Sequence, residues 1–167
     1  MSLRRGAGSL AEKSVRKPGG NMSLFHKTDP NTGPLAFTGE EAIIAVLFLV
    51  VTVDGNIAPE EEDLVIAASN RIKTLRKLGI DGFNDAVQKV RDAIGAKGRE
   101  EVFAVAVQSL PANLKETVYA LTADVVYADG IGKAEENDFL RKVQEALGVS
   151  DEVASKVVEV MRLKNRG

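Results

Sequence analysis

The sequence predicts an all-α protein, a compact bundle of about seven helices carrying an internal duplication. Three observations predict it. Apolar residues recur at spacings of three and four from Thr38 almost to the end of the chain. No Val- or Ile-rich run is bounded by hairpin turns. Two segments 75 residues apart match without a gap.

Each helix has its own start and stop signals. Thr38-Gly39-Glu40-Glu41 is a capping box ahead of the apolar run from Ala42, which places a first helix at 39–53. Pro59 and the acids Glu60 to Asp63 open a second helix over 59–77, with Leu64, Ala67, Ala68, Ile72 and Leu75 on one face. Lys73, Arg76 and Lys77 complement its C-terminus before Gly79. Asp81 is the expected N-cap of a third helix over 82–95, whose apolar face is Phe83, Ala86, Val87, Val90 and Ile94. A fourth follows at 98–109, and Pro111 opens a fifth at 111–128. The sixth spans 134–147 and stops at Gly148. Ser150 caps the seventh, 151–164.

Composition narrows the functions available. With 167 residues, 44% hydrophobic, 28% charged and a net charge of −2, the chain reads as an ordinary globular protein. It has no Cys, which excludes disulfides, thiolate catalysis and Cys-ligated metal centres. Its single His, His26, speaks against His-rich metal sites and Ser-His-Asp chemistry. No nucleophile, base and oxyanion group form a recognisable set, so no enzymatic activity is expected. The twelve-residue run Ala42 to Val53 is too short to span a bilayer, which needs about 20 residues, and suits a buried core helix. No targeting segment is evident, and a cytoplasmic location is expected.

Charge divides the chain. Residues 1–37 hold six Lys/Arg against Glu12 and Asp29, while residues 38–167 are net acidic. The first part, rich in breakers such as Lys17-Pro18-Gly19-Gly20, reads as a flexible basic arm, with Leu24, Phe25, Leu35 and Phe37 available to dock on the body. Met22-Ser23-Leu24 repeats the opening Met1-Ser2-Leu3 and marks Met22 as an alternative start. The arm offers weak contact with an anionic membrane surface. The acidic body argues against nucleic acid as a partner. His26 and the cluster Arg71, Lys73, Arg76, Lys77 are read as solvated side chains, the cluster also complementing a helix end.

The duplication carries the functional information. VVTVDGNIAPEEEDLVI at 50–66 and VVYADGIGKAEENDFLR at 125–141 share seven of 17 positions. Both run from an apolar helix through Asp-Gly and a four-residue connection to a helix that starts with adjacent glutamates. Two readings follow. In the first, Gly55 and Gly130 end helices, Asp54 and Asp129 bond the turn, and Glu61 and Glu136 cap the next helix. In the second, Asp54-Gly55-Asn56-Ile57 through Glu61 is the later half of a calcium loop whose earlier ligands are absent. Two such loops facing each other would pool Asp54, Glu61, Asp129 and Glu136. That all-oxygen set suits a hard divalent cation, calcium before magnesium.

At this repeat the sequence resembles the TerB family of tellurite-resistance proteins. Val53-Asp54-Gly55…Glu60-Glu61 and Ala128-Asp129-Gly130…Glu135-Glu136 carry the likeness, together with Glu135-Glu136-Asn137-Asp138-Phe139-Leu140, and it covers residues 38–164. The second copy departs at Ile131-Gly132, and Ala58 and Lys133 stand where a capping Ser or Asp is common. The resemblance implies a bundle of about seven helices with pseudo-twofold character. It also implies Asp-Gly segments facing a calcium-type site, and a role in tellurite and other stress responses. The resemblance further implies protein partners in metal-sensing complexes near the inner membrane face.

Overall fold

The computed structural model describes residues 33–53, 66, 72–128 and 131–165. Among these, α1 is Gly39–Val51, α2 a single turn Lys73–Arg76, α3 Gly79–Lys97 and α4 Arg99–Ser109. A 3₁₀ turn, Ala112–Leu114, leads into α5, Lys115–Val126, and α6 (Ala134–Leu147) and α7 (Asp151–Lys164) complete the order. No described residue is in a strand. The bundle is all-α, as the periodicity requires.

α1 is the axis of the bundle. Every residue from Ala42 to Val51 is buried. A helix apolar on all sides has no solvent face, so neighbours must cover its whole circumference. α3, α4, α5 and α6 do so. Its N-terminus carries the expected capping box: the Glu41 N–H donates to Thr38 Oγ1 at 3.2 Å and the Thr38 N–H to Glu41 Oε2 at 2.8 Å. Just ahead of it, Leu35 and Phe37 pack against the core, and Lys89 bridges Glu41 at 2.7 Å while lying over the Phe37 ring.

The outer helices bury one stripe each. α3 buries Ala86, Val87, Val90 and Ala93; Phe83 and Ile94, expected on the same face, are half-buried against it. α6 buries Leu140, Val143 and Leu147. It ends at Gly148, whose left-handed φ of 68° lets the Val149 N–H return to the Gln144 carbonyl at 3.0 Å. The Ser150 hydroxyl then caps α7 through the Val153 N–H at 3.3 Å. α7 is peripheral: Ala154 is its one fully buried residue.

Three expected boundaries shift. The helix expected over 59–77 is not continuous, because Ile72 is extended at φ −94°, ψ 120°. That kink leaves both Ile72 and Leu75 buried. Residues 59–65 and 67–71 lie outside the described set, while Ile66 is helical. The third helix begins at Gly79, three residues early, so Asp81 sits in its first turn and is not its cap. Gly79 does stop the preceding turn, at φ 66°. Pro111 does not start an α-helix; it is extended, and the 3₁₀ turn intervenes before Lys115.

α5 is the second buried helix. It contacts α1, α6 and α7. Its Tyr119 is 2% exposed, and burial, with a smaller push from Tyr127, raises its phenol above the ordinary value of 10.0.

Two outcomes follow. Leu47→Ala in α1 is expected to lower the unfolding free energy by about 2–5 kcal/mol, read as a lower urea midpoint at unchanged slope. Tyr119 is neutral in the fold and ionises more readily when unfolded, so its contribution is complete below pH 10 and is lost as pH rises towards the raised folded value. Alkaline urea melts of the parent are therefore expected to fall more steeply with pH than those of Tyr119→Phe.

Candidate functional site

The doubled acidic loops hang from the two buried helices. α1 feeds the first through Thr52 and Val53, and α5 feeds the second through Tyr127 and Ala128. α1 and α5 pack against each other. Of the four expected ligands, Asp54, Glu61 and Asp129 lie outside the described residues, and Glu136 lies inside them. Among the described residues no group of three or more His, Asp or Glu converges to hold a metal ion.

Glu136 occupies the third position of α6. Its Oε2 accepts from the Lys133 N–H at 2.9 Å, and its Oε1 lies 3.8 Å from Lys133 Nζ. The carboxylate thus performs the helix-capping half of a capping box, while Lys133 contributes no side-chain cap. Oε1 accepts no short hydrogen bond and retains lone pairs that a hard cation would accept.

The described residues on either side of the second Asp-Gly pair are held by side chains outside the acidic motif. The Tyr127 hydroxyl donates to Asn137 Oδ1 at 2.6 Å. Asn137 Nδ2 donates to the carbonyls of Gly132 and Lys133 at 2.7 and 2.9 Å. Gly132 is required by this close approach: a Cβ there would lie 2.9 Å from both Asn137 Nδ2 and Val126 Cγ1. The departure at Ile131-Gly132 thus has a packing cause. From α7, Arg162 lies 5.1 Å over the Tyr127 ring and donates to its hydroxyl at 3.3 Å. Asn165 Nδ2 donates to the Tyr127 carbonyl at 2.7 Å, and Lys164 pairs with buried Asp124.

The first copy reaches the same end with other residues. Thr52 stands where the repeat has Tyr127 and is buried. Its hydroxyl donates to the Phe48 carbonyl at 2.8 Å and accepts from Arg99 Nη1 at 2.9 Å, while Arg99 Nη2 donates to the Leu49 carbonyl at 2.6 Å. Both helix C-termini, with carbonyls left unpaired by the helix itself, are therefore closed by side chains from distant elements. Sequence reasoning missed Arg99, Asn137, Arg162 and Asn165. Only Asn137, lying within the repeat, carried a signal, because it replaces the first copy's Glu62.

A family model described as "Tellurite resistance protein TerB" matches residues 40–157. The chain belongs to the TerB family. The match runs from the first turn of α1 well into α7, so it takes in both copies of the repeat. Comparison with curated proteins and with solved structures yields no match. No helix among the described residues of this TerB domain is long and apolar enough to cross a membrane.

The loop packing has a measurable consequence. Gly132→Ala is expected to cost about 1–3 kcal/mol, since the added methyl overpacks the Tyr127–Asn137 contact. Gly95→Ala in α3, with open space around its Cβ position, is expected to stabilise by about 0.5–1 kcal/mol. Urea unfolding of the two variants side by side checks both signs.

Proposed function

We propose that this TerB domain is a non-catalytic tellurite-resistance and stress-response module that binds a divalent cation. Calcium is the first choice and magnesium the second, held through Asp54, Glu61, Asp129 and Glu136. The observation that carries the reading is the doubled Asp-Gly…Glu-Glu motif inside the matched family span. With no Cys and one His outside that span, the donors on offer are oxygens, which suits calcium or magnesium over softer metals. The two helices that lead into the motifs pack together, which supports pooling of their carboxylates. Protein partners in a stress-response complex, and a cytoplasmic location with weak association to the inner membrane surface, complete the proposal.

A second reading has one observation in its favour. Glu136 already uses Oε2 to cap α6, so the acidic motif also makes sense as helix-end chemistry in a metal-free interaction domain.

Melting curves and calorimetric titration separate the two. Under the cation reading, added calcium raises the melting temperature by preferential binding to the folded state. Asp54→Asn with Asp129→Asn then abolishes that response and relieves carboxylate repulsion in the metal-free protein. Absence of binding heat down to about millimolar affinity, with a double variant that is simply less stable, would establish the capping reading instead.

A further inference from the structure

A pocket of about 500 Å³ opens at the corner where α2 turns into α3. Ile66, Leu75, Ile80 and Phe83 form its apolar wall, with Arg76 and Asn84 beside them. Its volume lies in the range of ligand pockets. Ile80 is 81% exposed, the most exposed of the large apolar residues described. A lone surface Ile needs no explanation, but this one extends an apolar pocket.

The charge at this corner is of one sign. Arg76 is the only charged side chain among the described lining residues. Lys73 and Lys77 fall on the same side of the α2 turn, at the helical spacing of three and four. All three cations are exposed, and none pairs with a described carboxylate. α2 is a single turn, whose small dipole does not call for three cations. The acids Asp81, Asp85 and Asp92 recur along α3 at spacings that put them on an adjoining face. There Asp85 and Asp92 line a separate groove together with Lys89 and Lys97. A cationic, apolar corner thus stands on a body that is net acidic over residues 38–167.

We propose that the α2–α3 corner docks a short acidic segment of a protein partner, with one apolar side chain in the pocket and carboxylates on Lys73, Arg76 and Lys77. A free small ligand inside the pocket would meet Arg76 alone, because Lys73 and Lys77 lie outside the lining. Only a chain that continues past the pocket reaches all three. The inference rests on the protein-partner part of the proposed function and needs no cation at the acidic loops.

The test is an NMR titration of the full ¹⁵N-labelled chain, in metal-stripped buffer, with the acetylated and amidated peptide EDEFLDE. Saturable shifts at the Leu75, Ile80 and Phe83 amides are expected. They are expected to shrink as salt is added, since exposed charges are screened beyond about 10 Å at 0.1 M. EDEAADE, without the apolar anchor, and QNQFLNQ, without the charge, are each expected to bind at least roughly tenfold more weakly. Arg76→Gln with Lys77→Gln, and separately Ile80→Ser, are expected to weaken EDEFLDE binding by a similar factor. Both variants change exposed side chains and are expected to keep the parent's spectrum outside the corner. No saturable shift up to about 1 mM peptide, an equal response to EDEAADE, or parent-like affinity in either variant would overturn the proposal. So would shifts of the same amides that follow protein concentration alone, which assign the corner to a second copy. Binding of equimolar phosphatidylglycerol–phosphatidylcholine vesicles that Ile80→Ser abolishes, with the peptide inert, would overturn it in favour of a lipid surface. The absence of metal keeps the two readings apart: a null titration leaves the calcium melting response of the acidic loops intact, and a flat calcium response leaves peptide binding intact.

Discussion

The complete burial of α1 is the constraint on which the rest of the structure depends. Ten consecutive residues, Ala42 to Val51, are taken from water. Such a helix gains nothing from one amphipathic neighbour; α3, α4, α5 and α6 must all be present before its surface is covered. Burial also creates a polar problem at the helix ends, where the backbone groups have no intrahelical partner. At the N-terminus Thr38 and Glu41 solve it locally. The last turn holds no basic residue, so the solution at the C-terminus arrives from the first residue of α4, where Arg99 meets the Leu49 carbonyl and Thr52.

The second buried helix follows the same logic with a different outcome. α5 ends in Tyr127, whose hydroxyl, ring and carbonyl are held by Asn137, Arg162 and Asn165. A polar network is stable when its members are paired. Here it fixes the end of α5 to the start of α6 and to the end of α7. The two copies share a buried helix followed by Asp-Gly and adjacent glutamates in sequence, while the side chains that close those helices differ, Arg99 on one and Asn165 on the other. Family membership, which spans both copies, fits this division between a shared plan and private fastenings.

α7 lies at the periphery of the bundle. With only Ala154 fully buried, it covers α5 incompletely, and Tyr119 stands at the wall of a groove.

Local signals were legible wherever the physics is local. The Thr38 capping box, the Gly148 stop, the Ser150 cap and the core stripe of α3 each depend on residues within about four positions of one another, and all are legible in the sequence. So is the family resemblance, because the duplicated motif is contiguous in each copy. The kink at Ile72 was not readable, since the helical spacing of Ile72 and Leu75 is satisfied equally by a continuous helix and by a break that buries both. Nor were the roles of Arg99, Arg162 and Asn165: the groups they close lie 47–50, 35 and 38 residues away along the chain. The sequence by itself determined the all-α class, most helix ends and the acidic motif that names the family. Tertiary structure alone decided which distant side chains close the two buried helices, because a helix C-terminus accepts any donor that packing brings to it.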